Sequence, residues 1–196
     1  MKRPILYLIS FLGLLSFAPT DSAEEKQVEI SPESRLVISG SSNVNKFKCG
    51  FNAAQLTKPI TIEYSKQNGK LLFNKAVLPL YNGYFDCGGR AINRDFMNLL
   101  KSSEHPKIQL SLLELQLENL PQGSHTAKVS IEIAGMEKSY SIPIQCQGTE
   151  KLCVSGKLSV NLNDFDLEAP KKAFGLIVIS DVVEIDFDLI IETDRG

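Results

Sequence analysis

The fold class of this chain is decided by residues 183–191, which read VEIDFDLII. Apolar side chains occupy every odd position of this stretch, and acidic side chains occupy positions 184, 186 and 188. Successive side chains of a β-strand point to opposite faces, so this alternation predicts a strand with one apolar and one solvated face.

The same period recurs along most of the chain. Residues 129–133 and 140–144 alternate on either side of Gly135, which predicts a hairpin, and further strands are predicted at 36–38, 47–51, 60–64 and 152–162. Between residues 108 and 117 the apolar positions change parity at Leu112 and Leu113, and a β-bulge would restore a common face. Residues 71–80 have apolar side chains at both odd and even positions, so the sequence does not show which face of this strand is buried. Roughly eight to ten strand segments predict an antiparallel barrel or a sandwich, because both remove exposed edges.

One helix is predicted, with Asn93 as its N-cap and Leu100 or Lys101 as its last residue. Its apolar stripe includes Phe96, and Pro106 prevents further extension. We expect this helix to cover the sheet as a lid or a plug.

The apolar strand faces would point outward in a membrane barrel. The chain has no Trp and five Tyr to form interfacial girdles, which favours a barrel with its apolar face inward.

Residues 1–22 have the layout of a cleaved secretory signal. Lys2 and Arg3 precede an apolar run at 5–17, which is too short to span a bilayer, and small residues follow at Ser22 and Ala23. A cut after Ser22 is favoured over a cut after Ala23, and we expect residues 23–196 to form a single domain that is periplasmic or otherwise exported and soluble. The cut removes two basic residues and one acidic residue, so the net charge changes from −2 to −3. This balance argues against nucleic acid as a partner.

Four cysteines remain in residues 23–196: Cys49, Cys87, Cys146 and Cys153. An even number in an oxidising compartment predicts disulfides, and three pairings are possible. Cys146 and Cys153 flank a short polar turn, so their bond closes easily and leaves Cys49 with Cys87. The alternation conflicts with that bond, because Cys146 and Cys153 lie on opposite faces and directly paired residues share a face. The bond would need a bulge near the turn. No CxxC pair or matching histidine spacing indicates a metal site.

No pattern of a known catalytic site occurs in the sequence. His105 and His125, the latter in a predicted turn, have no acid or nucleophile near them, and we interpret both as structural surface residues. There is no GxSxG, HExxH or phosphate-binding glycine loop. Gly88 and Gly89 could receive an anion at the helix start, but they more simply permit a tight turn. The carboxylates at 184, 186 and 188 stand about 7 Å apart and are typical of a solvated face. We therefore predict no enzyme activity, metal or cofactor.

Three stretches resemble the YceI-like family. They are residues 34–51 (SRLVISGSSNVNKFKCGF), 85–108 (FDCGGRAINRDFMNLLKSSEHPKI) and 169–191 (APKKAFGLIVISDVVEIDFDLII). The resemblance implies an all-β, antiparallel, lipocalin-like barrel of about eight strands with one short α-helix. It also implies export to the bacterial periplasm and an elongated apolar cavity for a polyisoprenoid or a similar long-chain amphiphile. The chain departs from many relatives at residues 43–45 (NVN), where they carry a His, and in its four cysteines.

The apolar strand faces supply the candidate ligand-binding residues. These are Phe47, Phe51, Phe73, Phe85, Ile131, Tyr140, Ile142, Leu158 and Phe187, with Phe96 and Phe174 closing an end. A polyprenyl chain starts in a membrane, so its transfer into the barrel should be nearly neutral and reversible, which predicts a lipid carrier or buffer with transient membrane contact. A structural or interaction module would instead have a filled barrel and an exposed apolar patch near 174–178. An enzyme would need polar groups converging inside. The sequence indicates no oligomeric state or protein partner.

Overall fold

The computed structural model describes residues 23–116, 123–148, 151–169, 171–172 and 176–193; the predicted signal, residues 1–22, lies outside them. Within these ranges the strands are β1 (Glu24–Ile30), β2 (Arg35–Ser41), β3 (Lys46–Phe51), β4 (Ile60–Gln67), β5 (Lys70–Tyr81), β6 (Phe85–Asp86), β7 (Lys107–Gln116), β8 (Gly123–Ile133), β9 (Met136–Gln147), β10 (Lys151–Asn161), β11 (Lys171–Lys172), β12 (Ile177–Val178) and β13 (Val182–Thr193). The α-helix is α1 (Arg90–Leu99), and short 3₁₀ turns occupy Ala53–Gln55, Asn82–Tyr84 and Leu162–Phe165.

Eight of the strands close into an antiparallel barrel. Their order around the ring is β1, β4, β5, β7, β8, β9, β10 and β13, and β13 pairs with β1 to complete the ring. One edge of β13 pairs with β10, while the other pairs with β2 and then with β1. The sheet continues from β2 to β3 and β6. The predicted all-β barrel with a short helix is therefore confirmed.

The irregular strands owe their mixed parity to shifts in register. Between β7 and β8 the register shifts between Leu112 and Glu114, so the predicted bulge at Leu113 is confirmed. A second shift, between Leu72 and Val77 of β5, explains why the faces of that strand could not be assigned from its sequence. The predicted hairpin is also present, because β8 and β9 meet at a two-residue turn, residues 134–135.

The apolar face of the strands lies inside the barrel. Ile131 and Val160, on β8 and β10, are each 1% exposed, and Ile38 and Leu80 are buried with them. On the outside, charged residues of neighbouring strands form ion pairs. The buried face is therefore the one that the alternation predicted.

The acidic stripe of β13 is part of these ion pairs. The Arg35 guanidinium lies 3.1 Å from a carboxylate oxygen of both Asp186 and Asp188, and the Lys157 ammonium lies 2.8 Å from Asp186. The pKa of the Asp186 carboxyl lies below its ordinary value, mainly because Lys157 donates a hydrogen bond to it. Two of its three carboxylates, Asp186 and Asp188, are thus paired with basic side chains of the adjacent strands.

Helix α1 begins four residues earlier than the sequence predicted. Its N-cap is Gly89, without a side-chain cap, and the first helical residue is Arg90. Asn93 does not cap the helix, because its side-chain oxygen accepts a hydrogen bond from the Cys87 N–H (2.7 Å) and its amide donates to Asp86 (3.0 Å). No helix among the described residues is long and apolar enough to cross a membrane.

One of the two predicted disulfides is present. Cys49 and Cys87 are bonded, which ties β3 to the segment before α1. Cys146 and Cys153 are both free, so the prediction that they pair is wrong. Cys146 is buried and lies opposite Val154, whereas Cys153 is exposed and lies opposite Gln147. The two thiols point to opposite faces of the sheet, which is the conflict already visible in the alternation.

Candidate ligand-binding cavity

An apolar cavity of about 410 Å³ lies inside the end of the barrel that α1 covers. Twenty-four of the described residues line it, and all of these but Ser42, Asn45 and Asp95 are apolar. The apolar lining residues are Leu36, Ile38, Phe47, Cys49, Leu80, Phe85, Ala91, Ile92, Phe96, Leu99, Leu100, Ile108, Leu110, Ile131, Ile133, Val160, Leu162, Ile177, Ile179, Val183 and Ile185. Such a surface selects apolar guests, because it offers few partners to polar groups.

Helix α1 closes the cavity with one of its faces. Ile92, Phe96 and Leu99 line the cavity, and their spacing of four and three residues places them on one side of the helix. Arg90 and Arg94, on the other side, are exposed. The predicted role of this helix as a lid on the barrel agrees with this arrangement.

Both ends of α1 are anchored to the barrel. The Cys49–Cys87 disulfide holds the segment that precedes the helix. Beyond the helix, Asn82 is 1% exposed and its side-chain amide donates to the Ser102 hydroxyl (2.9 Å) and to the His105 carbonyl (2.8 Å). Opening the cavity by lifting α1 would break one of these attachments.

The mouth of the cavity lies between α1, the turn that joins β2 to β3 and the segment that contains β12. Asn45 and Ala91 line the cavity and are exposed, which marks where it opens. Residues 176–180, here called the strap, cross beside this opening and contribute Ile177 and Ile179 to the lining. The Asn43 side chain fixes the strap, since its amide donates to the residue 176 carbonyl (2.9 Å) and its oxygen accepts from the residue 178 N–H (3.0 Å).

A glycine allows Phe47 to line the cavity. Gly40 on β2 pairs with Phe47 on β3, and the Phe47 ring lies over the glycine. A Cβ atom at position 40 would overlap three carbons of that ring. Any larger residue at position 40 would therefore push the ring out of its place in the cavity wall.

Four of the eleven predicted ligand-binding residues line the cavity: Phe47, Phe85, Phe96 and Ile131. Six others pack elsewhere; they are Phe51, Phe73, Tyr140, Ile142, Leu158 and Phe187. Phe174 lies outside the described residues. The predicted set covers the whole inward face of the barrel, whereas the cavity lies at the end that α1 covers.

Local packing explains where several of these side chains are instead. Tyr140 stacks on Phe165, which is fully buried, with ring centroids 6.5 Å apart. The Phe187 ring lies over Gly156, and Phe51 packs edge-on against Phe85 at 5.0 Å. Of these rings, Phe51 contacts a residue of the cavity wall, Phe85.

Sequence reasoning missed most of the aliphatic lining. Val183 and Ile185 of β13, for example, share the inward parity that the alternation already showed, but aromatic residues were preferred as candidates. The residues of the strap were missed for another reason, since an unbroken apolar run does not show which of its members face inward. The lining could have been predicted by choosing, in each strand, the inward-facing positions close to the end that α1 covers.

His125 lies in the barrel interior and not in a surface turn, so its interpretation as a surface residue is wrong. Strand β8 begins at Gly123, which places His125 on the inward face with Ala127 and Val129. It is 2% exposed, and neither ring nitrogen has a hydrogen-bond partner within the described part of the chain. His105 has a structural role, because its ring packs against Gly135.

No family model and no curated protein matches this sequence. The structure is similar to a polyisoprenoid binding domain from Saccharophagus degradans, with a TM-score of 0.65 and 15% identity over 86% of this chain and 99% of that one. It is also similar to BcnA of Burkholderia cenocepacia (TM-score 0.56, 13% identity, 83% and 99% covered) and to a Campylobacter jejuni YceI protein (0.52, 11%, 100% of both). The chain therefore has the antiparallel barrel fold of the YceI-like proteins, at low sequence identity to them.

Proposed function

We propose that this protein is an exported lipid-binding protein that holds a polyisoprenoid or a similar long-chain amphiphile in its apolar cavity. The observation that carries this proposal is a cavity of about 410 Å³ in which 21 of 24 lining residues are apolar. In this role the protein carries a lipid across an aqueous compartment, or stores it there as a buffer, and does not modify it chemically.

The apolar lining of the cavity supports a bound guest on energetic grounds. Water that enters through the mouth finds few hydrogen-bond partners on the almost entirely apolar lining. An apolar guest that displaces this water gains about 25 cal/mol for each Å² of apolar surface removed from water. A sequence that keeps such a space is best explained by a guest that fills it.

The volume also limits what the cavity can enclose. At about 30 Å³ for each water-sized group, 410 Å³ has room for roughly 14 such groups. A longer chain would extend through the mouth, beside the strap, or would require the walls to move apart. We infer that the cavity receives one end of a long chain.

Two further observations support the ligand class and the compartment. One structurally similar protein is described as a polyisoprenoid binding domain, and its barrel resembles this one at a TM-score of 0.65. The Cys49–Cys87 disulfide is of the kind that persists in oxidising compartments, in agreement with the predicted signal at residues 1–22.

The competing functions fit the cavity less well. A structural module would have a filled barrel, and this barrel has a cavity, although Leu176 and Val178 are exposed as that hypothesis expected. An enzyme acting on a bound lipid would need polar groups that converge on the guest. The polar lining residues are few, and two of them, Ser42 and Asn45, belong to the turn at the mouth.

Lipid extraction tests the proposal. The protein is purified from the extracytoplasmic fraction of expressing bacteria, and bound lipid is extracted and identified by mass spectrometry. We expect about one long-chain amphiphile per chain. Val183→Trp, which puts a bulky ring into the cavity, should reduce the lipid content several-fold. The matched control is Val182→Trp, because Val182 is 47% exposed and does not line the cavity. A wild-type protein free of lipid would overturn the proposal.

A further inference from the structure

The mouth of the cavity carries an exposed apolar rim, formed by Val44, Leu176 and Val178. These side chains are 63%, 75% and 50% exposed. They belong to two separate segments, the β2–β3 turn and the strap, which Asn43 joins through hydrogen bonds to residues 176 and 178. The rim is therefore one patch held in place by the fold.

The strap connects this rim with the cavity. Its side chains alternate, so that Ile177 and Ile179 line the cavity while Leu176 and Val178 are exposed. An apolar surface thus continues from the interior of the barrel, across a single strand, to the outside. A chain that leaves the cavity at this point meets apolar side chains on both sides of the strap.

Basic residues lie in two segments that border the mouth. Residues 41–48 and helix α1 together contain four basic residues and one acidic residue, whereas the whole chain has a net charge of −2. The basic residues are Lys46, Lys48, Arg90 and Arg94, and all four are exposed. Cations next to exposed aliphatic side chains are the combination that binds anionic lipid surfaces.

We propose that the rim inserts into an anionic lipid bilayer, so that the cavity opens directly onto the membrane that supplies or receives its guest. This proposal rests on the proposed lipid-binding function and names its partner surface. Three side chains are too small an area for a stable protein interface, which needs about 800 Å² from each partner. A few aliphatic side chains with neighbouring cations are sufficient for reversible membrane contact.

Direct contact also solves a kinetic difficulty. A chain that crosses water on its way into the barrel exposes its methylenes, and each exposed methylene slows transfer about fourfold. A mouth seated in the bilayer removes that barrier, because the chain moves from one apolar environment to another.

The lack of native Trp makes a clean test available. Val178→Trp places a single fluorescent reporter in the rim, and Val77→Trp places one at another exposed valine, on the barrel wall. We expect vesicles that contain phosphatidylglycerol to shift the emission of the first variant to shorter wavelength and leave the second unchanged. Pure phosphatidylcholine vesicles and high salt should weaken the shift. The absence of a shift at position 178, or an equal shift at position 77, would overturn the proposal.

A second variant separates docking from lipid carriage. Val44→Ser combined with Leu176→Ser should lower co-sedimentation with the phosphatidylglycerol vesicles at least tenfold, while Val77→Ser should not. Unchanged binding by the double variant, or self-association through the rim without vesicle binding, would refute membrane docking. Lipid extraction from the same preparations tests the proposed lipid-binding function separately. Wild-type protein that contains lipid but does not bind vesicles refutes docking alone, and protein that binds vesicles but contains no lipid refutes the proposed function alone.

Discussion

Binding of straight-chain alcohols should strengthen with chain length up to a limit that the cavity sets. Each methylene moved from water into an apolar site gains about 0.8 kcal/mol, which is roughly a fourfold increase in affinity per carbon. The cavity of about 410 Å³ has room for roughly 14 groups of water size. We therefore expect affinity to rise steeply with chain length and to level off near that number.

Thermal unfolding in the presence of each alcohol measures this dependence. A ligand at a hundred times its dissociation constant stabilises the folded state by about 2.7 kcal/mol, which raises the Tm of a domain this size by roughly 5 to 10 °C. Competition with a fluorescent lipid probe gives the affinities themselves, with cyclodextrin present to keep the longer alcohols in monomeric form.

The cavity variants provide the control for this series. Val183→Trp should move the limit to shorter chains, because the indole occupies part of the cavity, and Val182→Trp should leave it unchanged. Affinity that does not depend on chain length would refute the assignment of the cavity as the binding site. Affinity that keeps rising well beyond the limit would refute the reasoning from a fixed volume.

Three further predictions concern groups away from the cavity. A maleimide should label the exposed Cys153 in the folded chain and should reach Cys146 only after unfolding, because burial shields the Cys146 thiol and raises its pKa. If the denatured, unreduced chain has no reactive thiol, the two cysteines are bonded to each other. Asp186→Asn should lower the free energy of unfolding by less than about 1 kcal/mol at pH 7. Since the folded state lowers the pKa of Asp186, its contribution exists above the unfolded pKa and is lost as the pH falls through the folded pKa. The difference between the two proteins in urea unfolding should therefore shrink progressively in acid, and an equal difference at neutral and acidic pH would contradict the ion pairs. His125→Leu should raise the free energy of unfolding by about 1 kcal/mol, because it removes a buried polar ring whose nitrogen atoms lack partners in the described residues; a loss of stability in urea unfolding would show that the imidazole is hydrogen-bonded.

The barrel and its inward face were predictable because they follow from a local rule. Side-chain alternation has a period of two, so one well-defined strand such as β13 shows which parity is buried, and the same rule located the bulge at Leu113. The resemblance of three long stretches to the YceI-like family agreed with this reading, and the similar solved structures confirm it at the level of the fold.

The limits of the cavity were not predictable in the same way. Whether an inward residue lines free space depends on contacts between distant segments, such as Phe165 stacking on Tyr140 or the Phe187 ring covering Gly156. The position of His125 depended on where β8 begins, and strand boundaries are weakly encoded in sequence. Cys146 and Cys153 do not pair because the strands hold their thiols on opposite faces, which outweighs the easy closure of the short turn between them.

The position of β13 in the ring has a consequence for the order of folding. This last strand pairs with β10 on one side and with β2 and β1 on the other, so it joins the beginning of the chain to its end. The ring cannot close until residues 182–193 have emerged, because without them β10 and β1 are left as open edges. In a nascent polypeptide the barrel therefore stays open until this last strand is available, and closure of the ring is a late step of folding.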